Sequence, residues 1–150
     1  MSSTFVVINR EFVPEADARL HVSDLAIQRG YGIFDFLKTV DGRPVFLDDH
    51  LDRFYRSASL MHLPVAQSRD ELKALLREFV RRNGIANSGI RIVLTGGDSS
   101  DGHTIGRPNL VIAQRPLPDN KSINERGIRL MTVAHQRQFA EAKTLDYLMS

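Results

Sequence analysis

The amino-acid sequence predicts an α+β domain, an antiparallel sheet of five or six strands with two helices covering one face. Two observations predict it. Short β-branched and aromatic runs bounded by Asn, Asp, Gly and Pro recur toward both ends of the chain. Between them lie two segments whose apolar residues are spaced three and four apart. With 150 residues and 42% hydrophobic content, the chain can bury one substantial core. Its 20 Lys and Arg against 18 Asp and Glu leave a formal charge of +2, too small a bias to argue for nucleic acid or an anionic membrane. The absence of Cys excludes disulfides, thiolate nucleophiles and Cys-ligated metals, and fits a reducing compartment. No basic region followed by an apolar run opens the chain, and no stretch approaches membrane-spanning length, so a soluble, cytoplasmic protein is expected.

The elements follow in order. Thr4 to Ile8 reads as a strand, turned by Asn9-Arg10 into Glu11-Phe12-Val13 and stopped by Pro14. Residues 15–23 are a polar connector. Ser23-Asp24 can cap a short helical turn that ends at Gly30. A central strand carries Ile33, Phe34, Phe36 and Leu37, and Asp41-Gly42 turns it into a return strand over Pro44 to Leu47, because Gly accepts the positive φ of a tight hairpin. Asp48 or Asp49 can cap the next helix, whose apolar face is Leu51, Phe54, Ala58 and Met61; Pro64 ends it. Ser68 and Glu71 form a capping box for a second helix with the stripe Leu72, Leu75, Leu76, Phe79 and Val80, stopped by Gly84.

Ile90 to Thr95 and Asn109 to Gln114 read as strands joined by a long polar loop, a common place for binding groups. Gly96-Gly97 within it lacks the glycine spacing and following helix of nucleotide motifs. Gly127 to Val133 reads as a further strand. His135 to Gln138 is a polar linker, and Lys143 to Ser150 reads as the start of a helix.

The strand Gly30-Tyr31-Gly32-Ile33-Phe34-Asp35 leads through the hairpin to His50-Leu51-Asp52-Arg53-Phe54, and Lys143 follows far along the chain. Together these resemble the fold-type IV pyridoxal-phosphate enzymes, the class IV aminotransferases of the branched-chain and D-amino acid types and their aminodeoxychorismate lyase relatives. The resemblance covers essentially the whole sequence. It implies that residues 1–134 are the small N-terminal domain, and that residues 135–150 are an interdomain linker and the start of a second domain missing from this sequence.

The resemblance also implies roles. Lys143 would carry pyridoxal 5'-phosphate and act as the catalytic acid-base, which requires a neutral amine. Arg53 would grip the cofactor phosphate, since its fixed fork suits phosphate oxygens. His50 either orients Arg53 or caps local polar groups. Phe34 matches an aromatic lining the substrate side of the cofactor, and Arg91 an Arg near the substrate carboxylate. His103 lies in a loop resembling a carboxylate-binding loop, although Asp101 stands where that loop has its Arg. Arg29 replaces a Tyr, which suggests a pocket favouring an anionic substrate, and Asp35 replaces the usual Glu.

The implied function is the N-terminal part of an aminotransferase moving an amino group between an α-amino acid and a 2-oxo acid, working as a homodimer. Two alternatives stay open: aminodeoxychorismate lyase, which eliminates pyruvate to leave 4-aminobenzoate, and a non-catalytic binding or dimerisation module with the small-domain fold. No metal, nucleic acid or membrane partner is expected.

Overall fold

In the computed structural model, which describes residues 4–118 and 125–146, the strands are β1 (Phe5–Ile8), β2 (Glu11–Pro14), β3 (Gly32–Val40), β4 (Arg43–Pro44), β5 (Ser88–Thr95) and β6 (Leu110–Pro116). They form one sheet in the order β2-β1-β6-β5-β3-β4, with every neighbouring pair antiparallel. The helices are α1 (Leu25–Arg29), α2 (Leu47–Leu60) and α3 (Arg69–Asn83). The fold is the α+β layout that the sequence predicts. Helices α2 and α3 cover one face of the sheet through Leu51, Phe54, Ala58, Leu72, Leu76 and Phe79, which join Val7, Ile33, Leu37, Ile90, Ile92 and Ile112 in a single buried cluster.

Strand alternation puts Ile33, Leu37 and their cross-strand partners Leu94 and Ile90 on the helix side. Phe36 and Val40 emerge on the other side and stay exposed. The Ser68 and Glu71 capping box closes the start of α3, with Ser68 Oγ accepting from the Glu71 N–H and the Glu71 side chain returning to the Ser68 N–H. Gly84 ends α3 in the left-handed region. The Asp24 side chain caps α1 at the Ala26 N–H, while its second oxygen accepts from Thr95 Oγ1 and Asn109 Nδ2, so a fully buried carboxylate fixes α1 against the ends of β5 and β6.

Four expectations need correction. The return strand is only Arg43–Pro44, because the Val45-Phe46 bend turns the chain straight into α2. Neither Asp48 nor Asp49 is the N-cap: α2 starts one residue earlier, at Leu47, behind a left-handed Phe46 that provides no side-chain cap. Both acids lie in the first turn, where the helix dipole favours them, and Asp48 pairs with Arg69 and Lys73 on α3. Gly127 to Val133 is not a strand. Its apolar side chains are exposed, Met131 at 85%, and no described strand offers it a hydrogen-bonding ladder. Lys143 to Asp146 is not helical either, because Thr144 forms an antiparallel bridge with Ile33. The rest of that expected helix, residues 147–150, lies outside the described residues.

Candidate functional site

Asp35 follows from the alternation of β3. It shares a face with Ile33 and Leu37 and is fully buried, and a lone carboxylate there would carry a heavy desolvation penalty. Helix α2 supplies its partners. Arg53 Nε donates to Asp35 Oδ2 at 2.7 Å and Nη2 to Oδ1 at 2.8 Å, a bidentate pair. His50, one turn earlier, donates from Nδ1 to Oδ1 at 2.8 Å. With its Nδ1 hydrogen committed there, the 3.2 Å approach of Arg53 Nη2 to the same nitrogen is a contact rather than a hydrogen bond. His50 and Arg53 are therefore both oriented by one buried carboxylate. The Arg53 side chain remains 48% exposed.

Lys143 is fixed by its backbone. Its carbonyl accepts the Phe34 N–H at 2.9 Å, its N–H donates to Ser57 Oγ at 3.0 Å, and the Leu145 N–H donates to the Gly32 carbonyl at 3.0 Å. Residues 143–145 thus extend the sheet along the edge of β3 opposite β5. Gly32 has to lack a side chain for this: a Cβ there would lie 2.7 Å from Leu145 Cδ1 and 2.8 Å from the Leu94 carbonyl oxygen. Thr144 faces the core opposite Ile33, so Lys143 points to the other side, where Nζ sits 4.5 Å from the centroid of the Phe34 ring. The Arg91 guanidinium carbon is 4.7 Å from the same centroid. Two cations therefore converge on one buried aromatic ring.

Arg29 and His103 meet elsewhere. Arg29, at the end of α1, donates from Nε to the Gly102 carbonyl at 2.8 Å, and its Nη2 approaches His103 Nε2 at 3.0 Å. Asp101 shapes this loop by accepting from Thr104 Oγ1, the Thr104 and His103 N–H groups and Ser99 Oγ. Those bonds, first the Thr104 hydroxyl and then the Thr104 and His103 amides, hold its carboxyl well below the usual range. Asp101 is a loop brace, and Arg29 supplies the guanidinium that accompanies His103.

A family model for class IV amino-transferases matches residues 32–150. The chain belongs to the class IV aminotransferase family. A putative branched-chain-amino-acid aminotransferase of Methanocaldococcus jannaschii is 30% identical, over 97% of this chain and 52% of its own length. A D-alanine aminotransferase of Staphylococcus epidermidis is 34% identical, over 70% of this chain and 37% of its own. Among solved structures, the branched-chain amino acid aminotransferase of Escherichia coli matches with a TM-score of 0.71 and 28% identity, covering 77% of this chain and 41% of that one. A hypothetical aminotransferase from Mycobacterium tuberculosis, in its PLP-bound form, shares the fold with a TM-score of 0.80 at 24% identity, covering 96% of this chain and 54% of that one. The chain spans about half or less of the length of these relatives.

In this class IV aminotransferase chain the site residues expected from sequence sort into two places. Lys143, Phe34, Arg91, Arg53 and His50 gather around the first half of β3. Arg29 and His103 gather at the end of α1 and its facing loop. Sequence reasoning missed Asp35 as the brace of Arg53 and missed Ser57 altogether. The signal for Asp35 was present, since a carboxylate alternating with Ile33 and Leu37 must find a cation. Ser57 carries no such local signal.

Proposed function

We propose that this chain is the N-terminal part of a pyridoxal-phosphate-dependent aminotransferase that moves an amino group between an α-amino acid and a 2-oxo acid. One observation carries the reading. Lys143 is clamped between β3 and α2, with its amine over the Phe34 ring and its backbone bonded to Ser57, one helical turn from Arg53. The donor set fits the cofactor: a primary amine suits its aldehyde, and a guanidinium braced by a buried carboxylate suits its phosphate. When bound, the cofactor supplies an electron sink for the amino-acid α-carbon.

The chain's own residues do the remainder. Lys143 would hold the cofactor through its amine and carry the α-proton as general acid-base. Arg53 would bind the phosphate, with Asp35 and His50 keeping its fork oriented. Phe34 lines the substrate side, and Arg91 offers a positive charge to the substrate carboxylate. Arg29 and His103 form a second cationic pair, suited to a carboxylate that reaches the loop. Residues 135–150 lead from the 1–134 domain into the second domain of a full-length protein, which works in the cytoplasm as a homodimer.

Coupled assays on the full-length protein test the reading. Transfer from a branched-chain L-amino acid or D-alanine to 2-oxoglutarate, dependent on added pyridoxal phosphate, is expected. Release of 4-aminobenzoate from aminodeoxychorismate without amino transfer would overturn it in favour of the lyase, and neither activity would leave the non-catalytic module.

A further inference from the structure

Ser57 is the one polar side chain among the buried residues of α2, which are otherwise Leu51, Phe54 and Ala58. A buried helical Ser commonly turns its hydroxyl back onto a carbonyl of the preceding turn. Here its oxygen serves a distant segment, accepting the backbone N–H of Lys143 across a sequence separation of 86. The two other backbone bonds that hold residues 143–145 come from β3, at Phe34 and Gly32. Ser57 is the tie from the helix, and Arg53 stands on that same helix one turn earlier, about 6 Å along its axis. Arg53 is in turn tied to β3 through Asp35. A closed frame results, with Arg53 and Ser57 on one rigid element and Asp35 and Phe34 on the other.

We propose that Ser57 is a positioning residue for Lys143: its hydroxyl fixes the Lys143 backbone against α2, so that the helix sets the span between the Lys143 amine and the Arg53 guanidinium. The inference rests on the reading of Lys143 and Arg53 as the two ends of one cofactor site. Without the hydroxyl, the Lys143 N–H loses its acceptor next to a buried methyl group, and the segment has to shift to find another.

The test compares the full-length protein with its Ser57→Ala and Ser57→Thr variants by two readouts. The first is amide hydrogen exchange at Lys143, measured without cofactor. In the unsubstituted protein this amide is expected to exchange at least about tenfold more slowly than that of exposed Glu141. In Ser57→Ala the protection falls about fivefold or more, while the Leu37 and Ile90 amides keep theirs. The second readout is the rate of borohydride-fixed labelling at Lys143 under saturating pyridoxal phosphate, which is expected to drop about tenfold in Ser57→Ala and to recover in Ser57→Thr.

Unchanged exchange and labelling in Ser57→Ala overturn the proposal. So does a Lys143 amide that exchanges as fast as Glu141 in the unsubstituted protein, a result independent of whether any variant folds. Loss of protection spread equally over β3 and β5 reduces Ser57 to a packing residue and also overturns it. Absence of label on Lys143 in the unsubstituted protein sinks the cofactor reading instead, and the amide comparison still decides whether Ser57 holds Lys143.

Discussion

The two faces of β3 do different work with the same nine residues. The helix-side face carries Ile33, Asp35, Leu37 and Thr39, all buried, and packs against α2 and α3. The opposite face carries Phe34, buried beneath two cations, and then the more exposed Phe36, Lys38 and Val40. The closed face is held by apolar burial, and its one charge is neutralised by paired hydrogen bonds from Arg53 and His50. The open face collects cations, Arg91 and Lys143, around a single ring. Apolar packing and the cation-bearing ring are thereby separated by one residue of strand period, with Asp35 the exception, a closed-face residue that orients Arg53.

The contrast is sharpest at its extremes. Lys143→Ala should lower amino transfer on the order of 1,000-fold or more, because no neighbouring group replaces a covalent amine, with the thermal midpoint nearly unchanged. A calorimetric scan alongside the coupled assay checks both halves. On the closed face, Leu37→Ala removes a side chain that is 1% exposed and should cost about 2–5 kcal/mol, read as a lower urea midpoint. Equal stability losses on the two faces would break the comparison.

Asp35→Asn tests the charge on the closed face. The Asn side chain cannot receive the Arg53 fork as a carboxylate does, so pyridoxal phosphate affinity should weaken about tenfold, measured by absorbance titration. Unaltered affinity would show that Arg53 needs no brace. On the open face, Phe36→Ala should cost at most about 1 kcal/mol. The Phe36 ring already covers Gly89, where a Cβ would lie 2.3 Å from the ring, so its effect is confined to that cross-strand contact.

The smallest effect concerns the loop beside Arg29. The Asp101 carboxyl titrates below its usual range, so its contribution to loop order is complete above the unfolded value of about 4 and fades only as pH falls through the lower folded value. Amide protection at His103 and Thr104 should therefore persist at about pH 3, where an ordinary Asp is mostly protonated. Loss of that protection by pH 4 would contradict the bracing role.

Much of this was legible in the sequence. The strand alternation, the Ser68 and Glu71 capping box and the Asp41-Gly42 turn each carry their own local chemistry, and the helix-covered sheet follows from them. That Arg53 and Lys143 both meet the first half of β3 was legible only through the family motif, since nothing local links residues so far apart. What failed was set by context. Gly127 to Val133 has a strand's composition but no described strand to pair with, and the segment after Lys143 was drawn into an extended bridge by β3 despite its helical spacing. Asp48 and Asp49 have the chemistry of caps, but Leu47 had already started the helix. Ser57 was invisible because its partner is a backbone amide, and any residue type but proline at position 143 would supply one.

The central claim is that the Lys143 amine and the Arg53 guanidinium serve one ligand. Borohydride reduction of the full-length protein with pyridoxal phosphate, followed by peptide mass analysis, addresses it most directly when repeated on Arg53→Ala. The account predicts a pyridoxyl mass on Lys143, with half-saturation moving to at least about tenfold higher pyridoxal phosphate in the variant. Label spread over Lys38, Lys73 and Lys143 alike, or a Lys143 label indifferent to Arg53, would contradict it.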